Sequence, residues 1–191
     1  MRRWLALVLV FMFALAAPGA NPQAGEGQTA PEFTLRDIDN KPVSLKDMAG
    51  KVTLISFWAT WCAPCQVEMP HLQKLYDAYK DQGFVLLMIS ADDARSVSRV
   101  KPLIKSKGYS FPVLLDTDTK VVSQYNPNKT LPYSELIGPD LKVLWQHQGY
   151  TAGDEVETER RVKLAIEALA AAKTVAPVSY THLTLPTSDL V

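Results

Sequence analysis

The chain has 191 residues, 20 lysines and arginines against 20 aspartates and glutamates, and a hydrophobic share of 47%. That balance offers nucleic acid no basic surface, and the apolar share is that of a folded chain, not a disordered one. With its two ends set aside, the sequence makes one domain of about 150 residues, large enough to bury a proper core.

Arg2 and Arg3 precede an apolar run from Trp4 to Ala17. The run has about 14 residues, against the roughly 20 that a membrane-spanning helix needs. Residues 1–25 therefore read as an export signal, with small residues for cleavage in Ala14-Leu15-Ala16 or Pro18-Gly19-Ala20. An uncleaved anchor is the alternative, and only then would the protein sit on a membrane. Either way the folded part, residues 26–176, is expected in the periplasm or another extracytoplasmic space. Within it, Ala30 to Leu35 and Val43 to Leu45 read as two short strands around the turn-rich Asp37-Ile38-Asp39-Asn40, a hairpin at one sheet edge.

Val52 to Trp58 is an apolar, β-branched run of strand length, the pattern of a strand buried on both faces. A helix follows, and the only two cysteines, Cys62 and Cys65, stand where strand gives way to helix. A thiol there meets unpaired backbone N–H groups and the positive end of the helix dipole, so its thiolate is favoured. Cys62 reads as the reactive thiol. Cys65 is three residues on, on the same helical face, and reads as the resolving one. Pro64 has no N–H to lose in a first turn. Two blander readings compete. A zinc site wants four ligands, and His71 and His147 are distant in sequence. A purely structural disulfide across so short a loop constrains the unfolded chain little.

Phe57-Trp58-Ala59-Thr60-Trp61-Cys62-Ala63-Pro64-Cys65, then Glu68 and Pro70, resembles the TlpA/ResA-like branch of the thioredoxin superfamily, exported thiol-disulfide oxidoreductases of bacteria. The resemblance runs from about Pro31 to Ala170. It implies an α/β, thioredoxin-like fold: a central mixed β-sheet flanked by helices, an N-terminal β-hairpin and a TlpA-type insertion. It also implies catalysis by Cys62, Cys65 and Glu68, with Trp61, Ala63 and Pro64 meeting substrate. Glu68 matches the family's glutamate, six residues after the first cysteine, and would tune or shuttle the Cys65 proton. A solvated helix glutamate is the alternative. Thioredoxin's buried aspartate, six residues before its first cysteine, is Ser56 here.

Met69, Leu72, Leu75, Tyr76 and Tyr79 continue the helix with one apolar face, Pro70 should interrupt it, and Gly83 ends it. Phe84 to Ser90 is a second buried strand. A loop and a basic helix with Arg95, Arg99, Lys101, Lys105 and Lys107 run to Gly108, and this charged face reads as solvated. Pro112 to Asp116 gives a strand and Val121 to Tyr125 a short helix. By resemblance Pro132 is the cis proline of the fold, facing the cysteines, and Leu131 before it pairs with an extended partner segment. Glu135 departs from the family's apolar residue and is either a second tuning group or an edge-facing charge. Val143 to Gln148 is a last strand, with His147 an ordinary member, and Glu155 to Ala172 a closing helix. Residues 177–191 are set apart from the fold, because Val178 to Thr187 resembles a translated sequencing adapter.

The function implied is reduction of disulfides in envelope proteins, as in cytochrome c or copper-site maturation, with electrons from a membrane thiol-disulfide donor. No metal or organic cofactor is required. The alternative is a copper(I)-binding or metallochaperone module on the same cysteine pair. A peroxidase of the peroxiredoxin kind would need a proline and threonine ahead of its cysteine, and Phe57 to Trp61 has no proline.

Overall fold

The computed structural model describes residues 24–175. The hairpin comes first, as β1 (Thr34–Asp37) and β2 (Pro42–Ser44). Next are β3 (Val52–Trp58), α1 (Ala63–Tyr79) and β4 (Phe84–Ser90). The insertion, residues 91–108, carries α2 (Val100–Lys107), and β5 (Val113–Leu115) follows it. The chain closes with α3 (Lys120–Tyr125), β6 (Tyr133–Ile137), β7 (Val143–Gln148) and α4 (Asp154–Val175). The signal or anchor in residues 1–25 and the tail at 177–191 fall on or beyond the limits of the described residues. Among those described, no helix is long and apolar enough to cross a membrane.

Among the described residues the seven strands form one sheet in the order β2-β1-β5-β4-β3-β6-β7. β3, β4 and β5 are parallel, while β6 runs antiparallel to β3, β7 to β6, and β1 to β5. β5, just after the insertion, is a parallel strand beside β4, and the N-terminal hairpin pairs with it as the outer edge. Every residue of β3 is buried, as a central strand covered on both faces requires.

Strand periodicity divides its side chains between two cores. Val52, Leu54 and Trp58 face one way and join Met69 and Leu72 of α1, Ile104 of α2 and Val162 and Ile166 of α4. Ile55 and Phe57 face the other way and meet Phe33, Tyr125 of α3 and Tyr133. Each such large side chain taken from water contributes about 1.5–3 kcal/mol.

Pro70 does not interrupt α1, which runs unbroken from Ala63 to Tyr79 with the proline on an exposed side. The helix ends through a single 3-10 turn at Gly83, whose φ of 85° suits glycine; a Cβ there would lie 3.1 Å from a methyl of Leu169. The basic helix is not wholly solvated either. Lys101 Nζ donates to Asp39 Oδ1 at 2.8 Å and to the Ile38 carbonyl at 3.1 Å, tying the insertion to the hairpin turn.

Candidate active site

β3 delivers the chain to the C-terminal end of the sheet, where Ala59-Thr60-Trp61 turns it into α1. Cys62 is the N-cap of that helix, and its Sγ accepts the Cys65 N–H at 3.3 Å. The two cysteines are joined as a disulfide, with Cα atoms 5.3 Å apart. Both are buried, while Trp61, Ala63 and Pro64 around them are exposed, Trp61 to 61%. The buried sulfurs are thus bordered by exposed residues, one of them aromatic.

The Leu131–Pro132 peptide is cis. Pro132 is buried and leads into β6, the antiparallel neighbour of β3. Leu131 is half-buried and packs against both cores, including the one that holds Cys62 and Cys65.

Glu68 lies one helical turn beyond Cys65. It is buried, has no hydrogen-bond partner among the described residues, and lines a cavity of about 270 Å³ between α1 and α4 that His71, Glu155 and Glu159 also line. Burial, and then the charge of Asp154 at the start of α4, push its carboxyl up to about 8. The solvated reading of Glu68 is thereby overturned: the inward face of α1 carries it beneath α4. Ser56, at the place of thioredoxin's acid, is buried and its hydroxyl has no partner among the described residues.

Glu135 is not edge-facing, because β6 is interior, between β3 and β7, and the side chain is fully buried. Its Oε2 accepts from Tyr133 Oη at 3.0 Å and Gln146 Nε2 at 2.9 Å, whereas Oε1 has no partner among the described residues. Burial pushes its carboxyl up to about 7, and the two donors work against that rise. Glu135 alternates with Leu136 on β6 and so lies in the core opposite α1. His147 is more engaged than an ordinary strand residue: it stacks on Trp145 with centroids 5.5 Å apart and its Nε2 is 3.2 Å from Asp154 Oδ2. Among the described residues, no group of three or more His, Cys, Asp and Glu side chains is placed to hold a metal ion.

Residues at the site escaped sequence reasoning, Asp92 first among them. Asp92, in the loop after β4, is completely buried and accepts hydrogen bonds from the Thr60 N–H at 2.8 Å, Thr60 Oγ1 at 2.6 Å and Ser90 Oγ at 2.9 Å. Its sequence surroundings, Ala91-Asp92-Asp93, look like any acidic loop. The signal available was position: the loop at the C-terminal end of a parallel strand next to β3 emerges beside the cysteines.

Comparison with known proteins shows the family and the fold. Residues 26–146 match the model of the AhpC/TSA family. The thiol-disulfide oxidoreductase ResA of Bacillus anthracis is 37% identical over 131 residues, covering 69% of this chain and 74% of that protein. ResA of Bacillus subtilis (strain 168) is 38% identical over 119 residues, 62% of this chain and 65% of that one. Among solved structures, the thioredoxin domain of a thiol-disulfide oxidoreductase from Bacteroides vulgatus superposes with a TM-score of 0.63 at 29% identity, covering 75% of this chain and 99% of that one. A thioredoxin-family thiol:disulfide interchange protein from Chlorobium tepidum TLS gives 0.63 at 26% identity, with 78% and 99% covered.

Proposed function

We propose, on the premise that the chain belongs to the AhpC/TSA family and is a ResA-like thiol-disulfide oxidoreductase of thioredoxin fold, that it works as an exported reductase of disulfides in envelope proteins. The observation that carries the reading is the Cys62–Cys65 pair at the start of α1, with a backbone N–H already directed at the Cys62 sulfur.

In the reduced protein the Cys62 thiolate attacks one sulfur of a substrate disulfide. A bond forms between Cys62 and that sulfur, and the other substrate sulfur leaves as a thiolate. Cys65 then gives its proton to the Glu68 carboxylate and attacks Cys62 Sγ. The Cys62–Cys65 disulfide forms and the second substrate sulfur leaves. Two electrons have passed to the substrate, and a membrane thiol-disulfide donor returns them. Glu68, pushed up to about 8, is a stronger proton acceptor than an ordinary carboxylate, which is what deprotonation of Cys65 needs. Trp61, Ala63, Pro64 and Leu131 form the surface that meets the substrate, and the buried Pro132 supports Leu131 from the start of β6. The Ala-Pro pair lacks the histidine that favours the thiolate in strongly oxidising relatives, which supports the reducing direction. Substrates in cytochrome c or copper-site maturation fit a protein of this kind exported by residues 1–25.

Equilibration with glutathione, followed by quantification of the Cys62–Cys65 disulfide, tests the direction. A potential near that of thioredoxin, about −270 mV, is expected; one near about −120 mV would make the protein a disulfide donor.

A further inference from the structure

Opening the disulfide removes the bond that fixes Cys62 to the helix. What then holds its sulfur against the N–H groups of the first turn is the loop Ala59-Thr60-Trp61, which belongs to no strand or helix. That loop is held at one residue from both sides. The Thr60 N–H and hydroxyl donate to the buried Asp92 carboxylate, and the Thr60 carbonyl accepts from Gln66 Nε2 at 2.8 Å. Asp92 is itself fixed, since Ser90 Oγ donates to its Oδ2 and the Asp92 N–H returns a bond to Ser90 Oγ at 3.2 Å. A short turn then ties Cys62 to Ala59 through an N–H to carbonyl bond of 3.0 Å.

A buried carboxylate is costly unless its oxygens are filled, and here they are filled largely by one residue of the active-site loop. Gln66 reaches the same residue from the first turn of α1, so the bracket joins β4, the loop and the helix that carries both sulfurs.

We propose that Asp92 and Gln66 are positioning residues for Cys62: by clamping Thr60 they keep the reduced thiolate at the helix terminus, where backbone N–H groups stabilise it. The proposal rests on the reading of Cys62 as the attacking thiol. Stabilisation by N–H groups falls steeply with distance and angle, so a loosened loop raises the thiol pKa. The direction of that change is diagnostic. Loss of the Asp92 charge alone would favour the thiolate and lower the value, whereas loss of the clamp raises it.

The test is the pH profile of iodoacetamide alkylation of the reduced full chain, with the alkylated cysteine identified by peptide mass, in the wild type and in Asp92→Ala, Asp92→Asn and Gln66→Ala. In Asp92→Ala the midpoint for Cys62 rises by about one pH unit, which is roughly tenfold slower alkylation below the midpoint. Gln66→Ala moves it less, in the same direction. Asp92→Asn stays at or slightly below the wild type, because its amide oxygen keeps the Thr60 N–H and Ser90 bonds. Superimposed profiles, a downward shift in Asp92→Ala, or an upward shift in Asp92→Asn equal to that of Asp92→Ala each overturn the proposal. Should Asp92→Ala fail to fold, Gln66→Ala, a change on an accessible side of α1, decides alone. Preferential alkylation of Cys65 would instead break the reading of Cys62 as nucleophile, and an oxidising potential would leave the clamp untouched.

Discussion

Glu68 and Glu135 are both buried glutamates with carboxyls pushed up, to about 8 and about 7, and they occupy the two opposite cores of one sheet. Their surroundings differ. Glu68 faces a cavity, has no donor among the described residues, and feels the charge of Asp154. Glu135 is packed among aromatic rings, with one oxygen held by Tyr133 and Gln146. Burial raises both carboxyls, so burial alone does not tell them apart. The cavity and the helical turn shared with Cys65 set Glu68 apart, and they support the proton-accepting role proposed for it.

The largest expected effect concerns what the two have in common. An unfolded glutamate ionises near 4.5, so between about pH 4.5 and about pH 7 the folded chain keeps the Glu135 proton that the unfolded chain loses. Its contribution to stability is intact below that pH and is lost as the pH climbs from about 4.5 to about 7. Between pH 4 and pH 8 the wild type should lose about 3 kcal/mol more than Glu135→Gln in urea unfolding. Equal pH dependence in the two would show that Glu135 does not keep its proton.

The second effect tells the two apart. Glu68→Gln should slow closure of the Cys62–Cys65 disulfide from a mixed disulfide with glutathione by about a hundredfold at pH 8, where about half of Glu68 is ionised, within the range of general acid–base catalysis. Glu135→Gln should leave that rate within about twofold. Quenched-flow trapping of free thiols reads both, and an equal loss in the two variants would erase the distinction.

The smallest concerns the donors. Gln146→Leu takes one bond from Glu135 and another from the Ala24 carbonyl, which Gln146 Nε2 reaches at 2.7 Å. It should cost about 1 kcal/mol at pH 5 and more at pH 8, where the carboxylate is charged. Urea unfolding at the two pH values measures this.

Much of this arrangement was legible in the sequence. The β3 run, the cysteine spacing, the hairpin around Asp37 to Asn40 and the α1 periodicity are local patterns, and local patterns survive in a sequence. Glu68 was legible through its spacing from Cys65. The place of Glu135 was hidden because Tyr133-Ser134-Glu135-Leu136-Ile137 is buried on both faces, so alternation could not reveal which way the carboxyl points. Asp92 and Gln146 act through contacts 32 and 122 residues away in the chain, and no periodicity encodes a partner at that distance.

The start of the described chain is bonded to its last hairpin: the Gly27 N–H donates to the Val143 carbonyl at 2.7 Å, and the Ala30 N–H to that of Leu141 at 2.9 Å. A chain that emerges from a ribosome or a translocation pore amino end first exposes residues 24–30 about a hundred residues before their partners. β1 likewise waits for β5. β3, α1 and β4 are consecutive and close only short loops, so they can associate early. Residues 24–30 therefore cannot be sealed until the last hairpin has been made, whereas the segment that carries the redox centre needs only its immediate neighbours.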